Sequence, residues 1–128
     1  MLGTNDAKTY FNRSPLEITV GASKLLGQIA TSAGGVGTLY PAPRALLVAP
    51  PPLAEMENAW ADLVFAGGRD KTRALATHYA AVAQFFGAAF FDAGSVVATG
   101  GVDGIHLTAE NNAVLGRALA DAVRAILP

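Results

Sequence analysis

The run Arg44-Ala-Leu-Leu-Val-Ala49 is followed at once by Pro50-Pro51-Pro52. After Arg44 it offers no polar residue, so neither face of a strand built from it can meet water. That is the pattern of a strand in a parallel sheet covered by helices on both sides. Proline brings no amide hydrogen to a ladder, so the strand must stop at the prolines and leave the sheet along a rigid exit. Ala88-Ala-Phe-Phe-Asp92 has the same apolar character and reads as a second strand.

Helical signals occupy the spaces between. Ser14 reads as an N-cap, Pro15 as the first helical position and Glu17 as the partner that completes a capping box. Leu16, Val20, Leu25, Leu26 and Ile29 recur at helical spacing, so this helix is expected to turn them inward and to end before Gly34-Gly35. Residues Thr38 to Pro43 read as a turn. A short helix is expected from Glu55 to Phe65, closed by Gly67-Gly68. Another is expected from Asp70 to Phe86, with Leu75, Tyr79, Val82 and Phe86 on its inner stripe and Gly87 as its stop. Thr108 caps a final helix running to Leu127, with Leu115, Leu119, Ala122, Val123 and Ile126 inward.

This alternation predicts an α/β fold with a parallel sheet between helical layers. Two strands rarely make a stable sheet. Leu2-Gly3 reads as the end of a third strand whose body would lie upstream. Composition points the same way. The chain is 52% hydrophobic and only 15% charged, against about 25% charged in a typical domain. Part of its apolar surface is therefore expected to meet other protein, in a homo-oligomer or against a companion fragment.

The length of 128 residues fits one domain. Nine basic and ten acidic residues, net −1, are scattered along the chain, which argues against nucleic-acid or membrane-surface partners. No apolar run is long enough to span a bilayer. There is no cysteine, which excludes disulfides, thiolate catalysis and cysteine-bound zinc. The N-terminus lacks a signal-peptide layout, so a cytoplasmic location is expected.

The residues that could carry chemistry are few. Asp103 stands three before His106, with Gly104 between them permitting a tight turn. A carboxylate so placed can hold one imidazole nitrogen and leave the other as a base. The pair follows the second strand, at the end where open α/β sheets bind ligands. An ordinary Asp-Gly turn beside a histidine is the bland alternative. Asn5 lies in Gly3-Thr4-Asn5-Asp6. It could donate to an oxyanion or simply cap a turn. Asp6 is expected to be structural, turned away and hydrogen-bonded.

No serine stands in a nucleophile setting: Ser14 caps a helix, Ser23 lies inside it, Ser32 ends it, and Ser95 follows a strand. His78 has no ligand partner at metal-binding spacing. Gly34-Gly35-x-Gly37 lacks the strand before and the lysine after that a phosphate loop needs. Trp60 and Phe65 read as core or interface anchors or a pocket wall, and Tyr40, Phe85 and Phe86 as packing. Pro50 to Pro52 should border the site.

Taken together, Gly3-Thr4-Asn5-Asp6 and Asp103-Gly104-Ile105-His106 resemble the third (G-x-N-D) and fifth (D-x-x-H) blocks of the SGNH, or GDSL-type, hydrolases. Met1 to Lys8, Thr31 to Thr38, Val48 to Leu53, Phe90 to Ser95 and Val102 to Thr108 are similar to the arylesterase and acyltransferase branch. The resemblance covers the whole chain, residues 1–128, and maps to the C-terminal portion of a single family domain. It implies a three-layer α/β/α flavodoxin-like fold lacking its N-terminal strands.

It also implies a serine esterase acting on small carboxylic esters through an acyl-enzyme, with transfer to water or to an alcohol. In that reading His106 is the general base and acid, Asp103 its orienting carboxylate and Asn5 an oxyanion-hole donor. No metal or organic cofactor is implied. The nucleophilic serine and the second-block glycine have no counterpart here, so the nucleophile is expected from outside this chain and the chain alone is expected to be inactive. The alternatives are a non-catalytic assembly module that buries its open sheet edge in an oligomer, and a self-contained enzyme using Asp103 and His106 without a covalent nucleophile.

Overall fold

The computed structural model describes residues 1–34 and 39–127. Part of the turn expected over Thr38 to Pro43, and Gly35 to Gly37 of the glycine-rich stretch, lie outside them. Two 3-10 turns, Asn5–Ala7 and Thr9–Phe11, precede α1 (Pro15–Ala30), β1 (Leu46–Ala49), α2 (Ala59–Val64), α3 (Gly68–Phe86), β2 (Ala89–Asp92), a 3-10 turn at Ala93–Ser95 and α4 (Ala109–Ile126).

The strands pair in parallel, Leu46 opposite Ala89 through Ala49 opposite Asp92. Successive side chains of β1 point to opposite faces. Leu47 and Ala49 enter a core with Ile18, Ala22 and Leu26 of α1 and Leu75, Tyr79 and Ala83 of α3. Val48 enters a second core with Ala93, Val97 and Leu115 of α4. The sheet is thus sandwiched between α1 and α3 on one side and α4 on the other, the three-layer arrangement expected. Among the described residues the sheet has these two strands, and each leaves one edge unpaired.

Helix ends follow the capping chemistry of the sequence. The Ser14 hydroxyl accepts from the Glu17 amide at 3.2 Å while the Glu17 carboxylate accepts from the Ser14 amide at 2.8 Å. This holds the Glu17 carboxyl below the usual carboxylate range, through the Ser14 backbone first and its hydroxyl second. Thr108 caps α4 by accepting from the Asn111 amide at 3.1 Å. The Arg44 guanidinium closes the other end of α4 by donating to the Ile126 carbonyl.

Several expectations are corrected. The inner face of α1 is Ile18, Ala22 and Leu26, whereas Leu16 is 62% exposed and Val20 and Leu25 also face out. Ile18, Ala22 and Leu26, spaced four apart, are the residues that join Leu75, Tyr79 and Ala83 of α3 in the first core. Val123 of α4 is exposed too. Helix α2 begins at Ala59, capped by the Asn58 side chain at 3.0 Å, not at Glu55. The residues before it form no helix: Glu57 and Asn58 are bends, and the Ala54 amide donates to Gly104 and Thr99. Helix α3 starts at Gly68, two residues earlier than expected, after Gly67 in the left-handed region.

Leu2-Gly3 forms no strand. The Tyr79 hydroxyl takes the Leu2 carbonyl at 3.2 Å, and a Cβ at Gly3 would collide with Leu75 and Tyr79. Burial, and secondarily the Asp6 charge, pushes the Tyr79 phenol up to about 12. Phe65 is core, but Trp60 is 75% and Phe85 82% exposed, and Tyr40 is exposed as well; Phe86 packs against the first core.

The two faces of α1 and α3 give a direct stability contrast. Leu75→Ala empties a fully enclosed site and is expected to cost about 3 kcal/mol. Leu16→Ala, although on the stripe that sequence periodicity favours, is expected to cost less than about 0.5 kcal/mol. Urea denaturation of the two variants decides between these faces, and equal losses would contradict the packing described.

Candidate active site

The carboxyl ends of β1 and β2 converge on one open groove of about 420 Å³. Its walls are Met1, Thr4 and Asn5 from the N-terminal segment, Pro51 from the exit of β1, Thr99, Ile105, His106 and Leu107 from the loop after β2, and Asn112 from the first turns of α4. Asn5 and His106, far apart in sequence, therefore border the same space. Pro51 places the proline exit at its edge, as the sequence suggests.

The loop Asp103 to His106 is organised around one carboxylate. Asp103 Oδ1 accepts from the Ile105 amide at 2.9 Å and the His106 amide at 2.8 Å, and Oδ2 lies 2.6 Å from His106 Nδ1. These bonds hold the Asp103 carboxyl at about 2, the His106 amide contributing most, then the His106 ring, then the Ile105 amide. The carboxylate is ionised at neutral pH and can only accept, so Nδ1 carries the proton it shares. In the neutral imidazole the other ring nitrogen, Nε2, is then the lone-pair acceptor. The imidazole side chain is 74% exposed and free to meet a reactant.

Gly104 makes this loop possible. Its φ is +79°, and a Cβ there would collide with the Glu55 carbonyl oxygen. Its own carbonyl accepts from the Ala54 amide at 2.9 Å. Gly104 is thus fixed by backbone conformation and by close approach together.

Asn5 opens the 3-10 turn Asn5–Ala7, with an exposed side chain. Asp6, the next residue, is exposed and absent from the groove wall, and its charge adds to the burial that raises the Tyr79 phenol. The hydrogen bond expected of its carboxylate is not made by a side chain among the described residues.

All four serines are engaged elsewhere. Ser14 bonds Glu17 at 2.9 Å, and Ser23, Ser32 and Ser95 donate to the carbonyls of Val20, Ile29 and Asp92 at 2.8, 2.7 and 2.6 Å. None lines the groove. His78 is half-buried between α1 and α3, away from Asp103, and its Nδ1 has no partner. Among the described residues no group of three or more His, Cys, Asp or Glu could hold a metal ion, and no helix is long and apolar enough to cross a membrane.

Thr99, Ile105, Leu107 and Asn112 also shape the groove and were not singled out by the sequence. Asn112 carries a faint signal, four residues after the Thr108 cap, where its amide donates to the Thr108 carbonyl at 3.2 Å. Thr99 carries none, because a lone threonine between apolar and glycine residues has no periodic context.

Comparison with known proteins identifies what this arrangement resembles. No family model matches the sequence, and no curated protein matches it significantly. Solved structures do. Est24, a carbohydrate acetylesterase from Sinorhizobium meliloti, is 54% identical with a TM-score of 0.94, over 99% of this chain and 59% of its own. An aryl esterase from M. smegmatis is 59% identical at the same TM-score and the same coverage of both chains. A second carbohydrate acetylesterase family member from S. meliloti is 36% identical with a TM-score of 0.90, over 98% of this chain and 58% of its own. The chain thus spans about three fifths of the length of the esterases it matches.

The low titration of Asp103 carries a pH signature. Its folded value, about 2, lies below the ordinary 3.8, so its bonds stabilise fully above pH 3.8 and are lost as pH falls through 2. The gap in melting temperature between the parent chain and Asp103→Asn is therefore expected to shrink as pH falls below about 4. A gap independent of pH would contradict the bonding of Asp103.

Proposed function

We propose that this chain is part of an SGNH-type hydrolase and supplies the acid–base pair and one oxyanion donor of a serine esterase whose nucleophile lies in protein beyond these residues. The observation that carries this reading is the 2.6 Å contact of His106 Nδ1 with Asp103 on the groove that Asn5 also lines. The family's arrangement of a carboxylate-held histidine facing an amide donor needs one more part, a serine hydroxyl within reach of Nε2.

In the reaction proposed, the serine oxygen attacks the ester carbonyl carbon while His106 Nε2 takes its proton. Asp103 keeps the ring in the required tautomer and stabilises the imidazolium that forms. The carbonyl oxygen, now an oxyanion, accepts from the Asn5 side-chain amide, an interaction worth about 3 kcal/mol in comparable sites. Collapse of the tetrahedral adduct expels the alcohol, which receives the proton from His106. A water, or another alcohol, then attacks the acyl-enzyme with His106 again as base, and the serine is restored.

The named neighbours act on acetylated carbohydrate or aryl esters, which favours small acyl groups as substrates. The groove's modest volume, about 420 Å³, agrees with that. The nucleophile reaches the groove either on a longer polypeptide of which these residues are one part or on a companion fragment, seated against the free edge of β1. The second reading, a non-catalytic assembly module, draws on the engagement of every serine with a neighbouring carbonyl or carboxylate.

Joining the chain to the portion of the M. smegmatis aryl esterase that it does not cover tests the proposal. p-Nitrophenyl acetate hydrolysis is expected from the joined protein and not from the 128-residue chain alone. His106→Ala is expected to lower turnover by about 10⁶-fold and Asp103→Asn by about 10⁴-fold, with His78→Ala near the parent rate. A well-folded joined protein without turnover, or turnover indifferent to His106, would defeat the proposal and favour the assembly module.

A further inference from the structure

Three successive prolines leave the exit of β1 without amide donors at residues 50 to 52. The first donors after them are the amides of Leu53 and Ala54, and both are met by buried threonine hydroxyls. Leu53 donates to Thr72 of α3 at 3.0 Å, and Ala54 donates to Thr99 at 2.9 Å. Thr99 is 2% exposed, and its hydroxyl in turn donates to the Pro52 carbonyl at 2.9 Å. The Ala54 amide is shared with the Gly104 carbonyl, also at 2.9 Å.

One amide thus ties the beginning of the loop, at Thr99, to its middle, at Gly104, between Asp103 and the His106 ring. The loop has no strand or α-helix of its own over residues 99 to 107. Further anchors lie at its ends: the Asn111 side chain donates to the Ala98 carbonyl at 2.9 Å, the Asn112 side chain to the Leu107 carbonyl at 3.4 Å, and Leu107 packs against the second core. A hydroxyl that both donates and accepts is the group this junction needs, since the Pro52 carbonyl lies on one side and the Ala54 amide on the other.

We propose that Thr99 is a positioning residue for the Asp103–His106 pair: its buried hydroxyl, bridging Pro52 and Ala54, fixes the loop on which the carboxylate meets the imidazole. It acts through Ala54 and Gly104 rather than on substrate. The proposal deepens the esterase reading and rests on it for its catalytic meaning, while its structural claim concerns the loop alone.

The test uses the 128-residue chain, with Asp103 followed by carbon-13 NMR of its carboxyl group across pH. In the parent the midpoint is expected at about 2. Thr99→Val keeps the shape but removes the hydroxyl. It is expected to raise the midpoint by about one pH unit as the bonds to the loop amides loosen. Thr99→Ser keeps the hydroxyl and is expected to restore it.

A Val variant with the parent midpoint, or a Ser variant that behaves like Val, overturns the proposal. Should Thr99→Val unfold the chain, amide exchange in the unsubstituted protein decides. Slow exchange at Ala54 supports the bridge, and exchange at the rate of an open chain overturns it. Loss of the esterase reading would show as an inactive joined protein and would leave these titrations unchanged, so the two failures are distinguishable.

Discussion

The single amide of Ala54, donated to Gly104 and Thr99, is the point on which the candidate site depends. It fastens the segment leaving β1 to the loop leaving β2, so that the two strand ends form one wall of the groove. Everything nearby serves that junction. The prolines withhold competing donors, Gly104 lets the chains approach without a side chain between them, and Thr99 satisfies the carbonyl of Pro52. The Asp103 carboxylate then has a rigid base from which to hold the His106 ring at 2.6 Å. The Asn111 and Asn112 side chains and the packing of Leu107 hold the ends of the loop, and the Ala54 amide holds its middle.

The sheet itself is a narrow platform for such a site. Two parallel strands are covered by α1 and α3 on one face and by α4 on the other. The layers are those of a complete α/β sandwich, while the free edge of β1 and the outward-facing Leu16, Val20 and Val123 leave apolar surface in water. An unpaired edge and exposed aliphatic residues are features that folded proteins usually cover. The esterases that match the chain extend well beyond it, the chain covering 59% of their length.

Much of this was legible in the sequence where a residue has one strong physical reason to be where it is. The prolines after β1, Ser14 and Glu17 at α1, Thr108 at α4 and Gly104 between Asp103 and His106 all announce local structure through capping or steric chemistry. The Asp103–His106 spacing permits their contact, and the fold makes it. The inner face of α1 was misread because two apolar stripes compete on that helix, and periodicity cannot say which one a neighbour will cover. The start of α2 is set by the Asn58 side chain, which accepts from the Ala61 amide, a capping signal the expected start at Glu55 passes over. Thr99 was invisible because its role comes from tertiary hydrogen bonds, not from its place in a motif.

The central claim is that His106, held by Asp103, faces a serine brought to this groove from outside the chain, with Asn5 across from it. A crystal structure of the joined protein after reaction with a p-nitrophenyl phosphonate tests this most directly. The account predicts phosphorus bonded to a serine of the added portion, His106 Nε2 within about 3 Å of that serine oxygen, and the phosphoryl oxygen within hydrogen-bond reach of the Asn5 amide. A phosphonylated serine seated away from His106, or a phosphoryl oxygen held without Asn5, would contradict it.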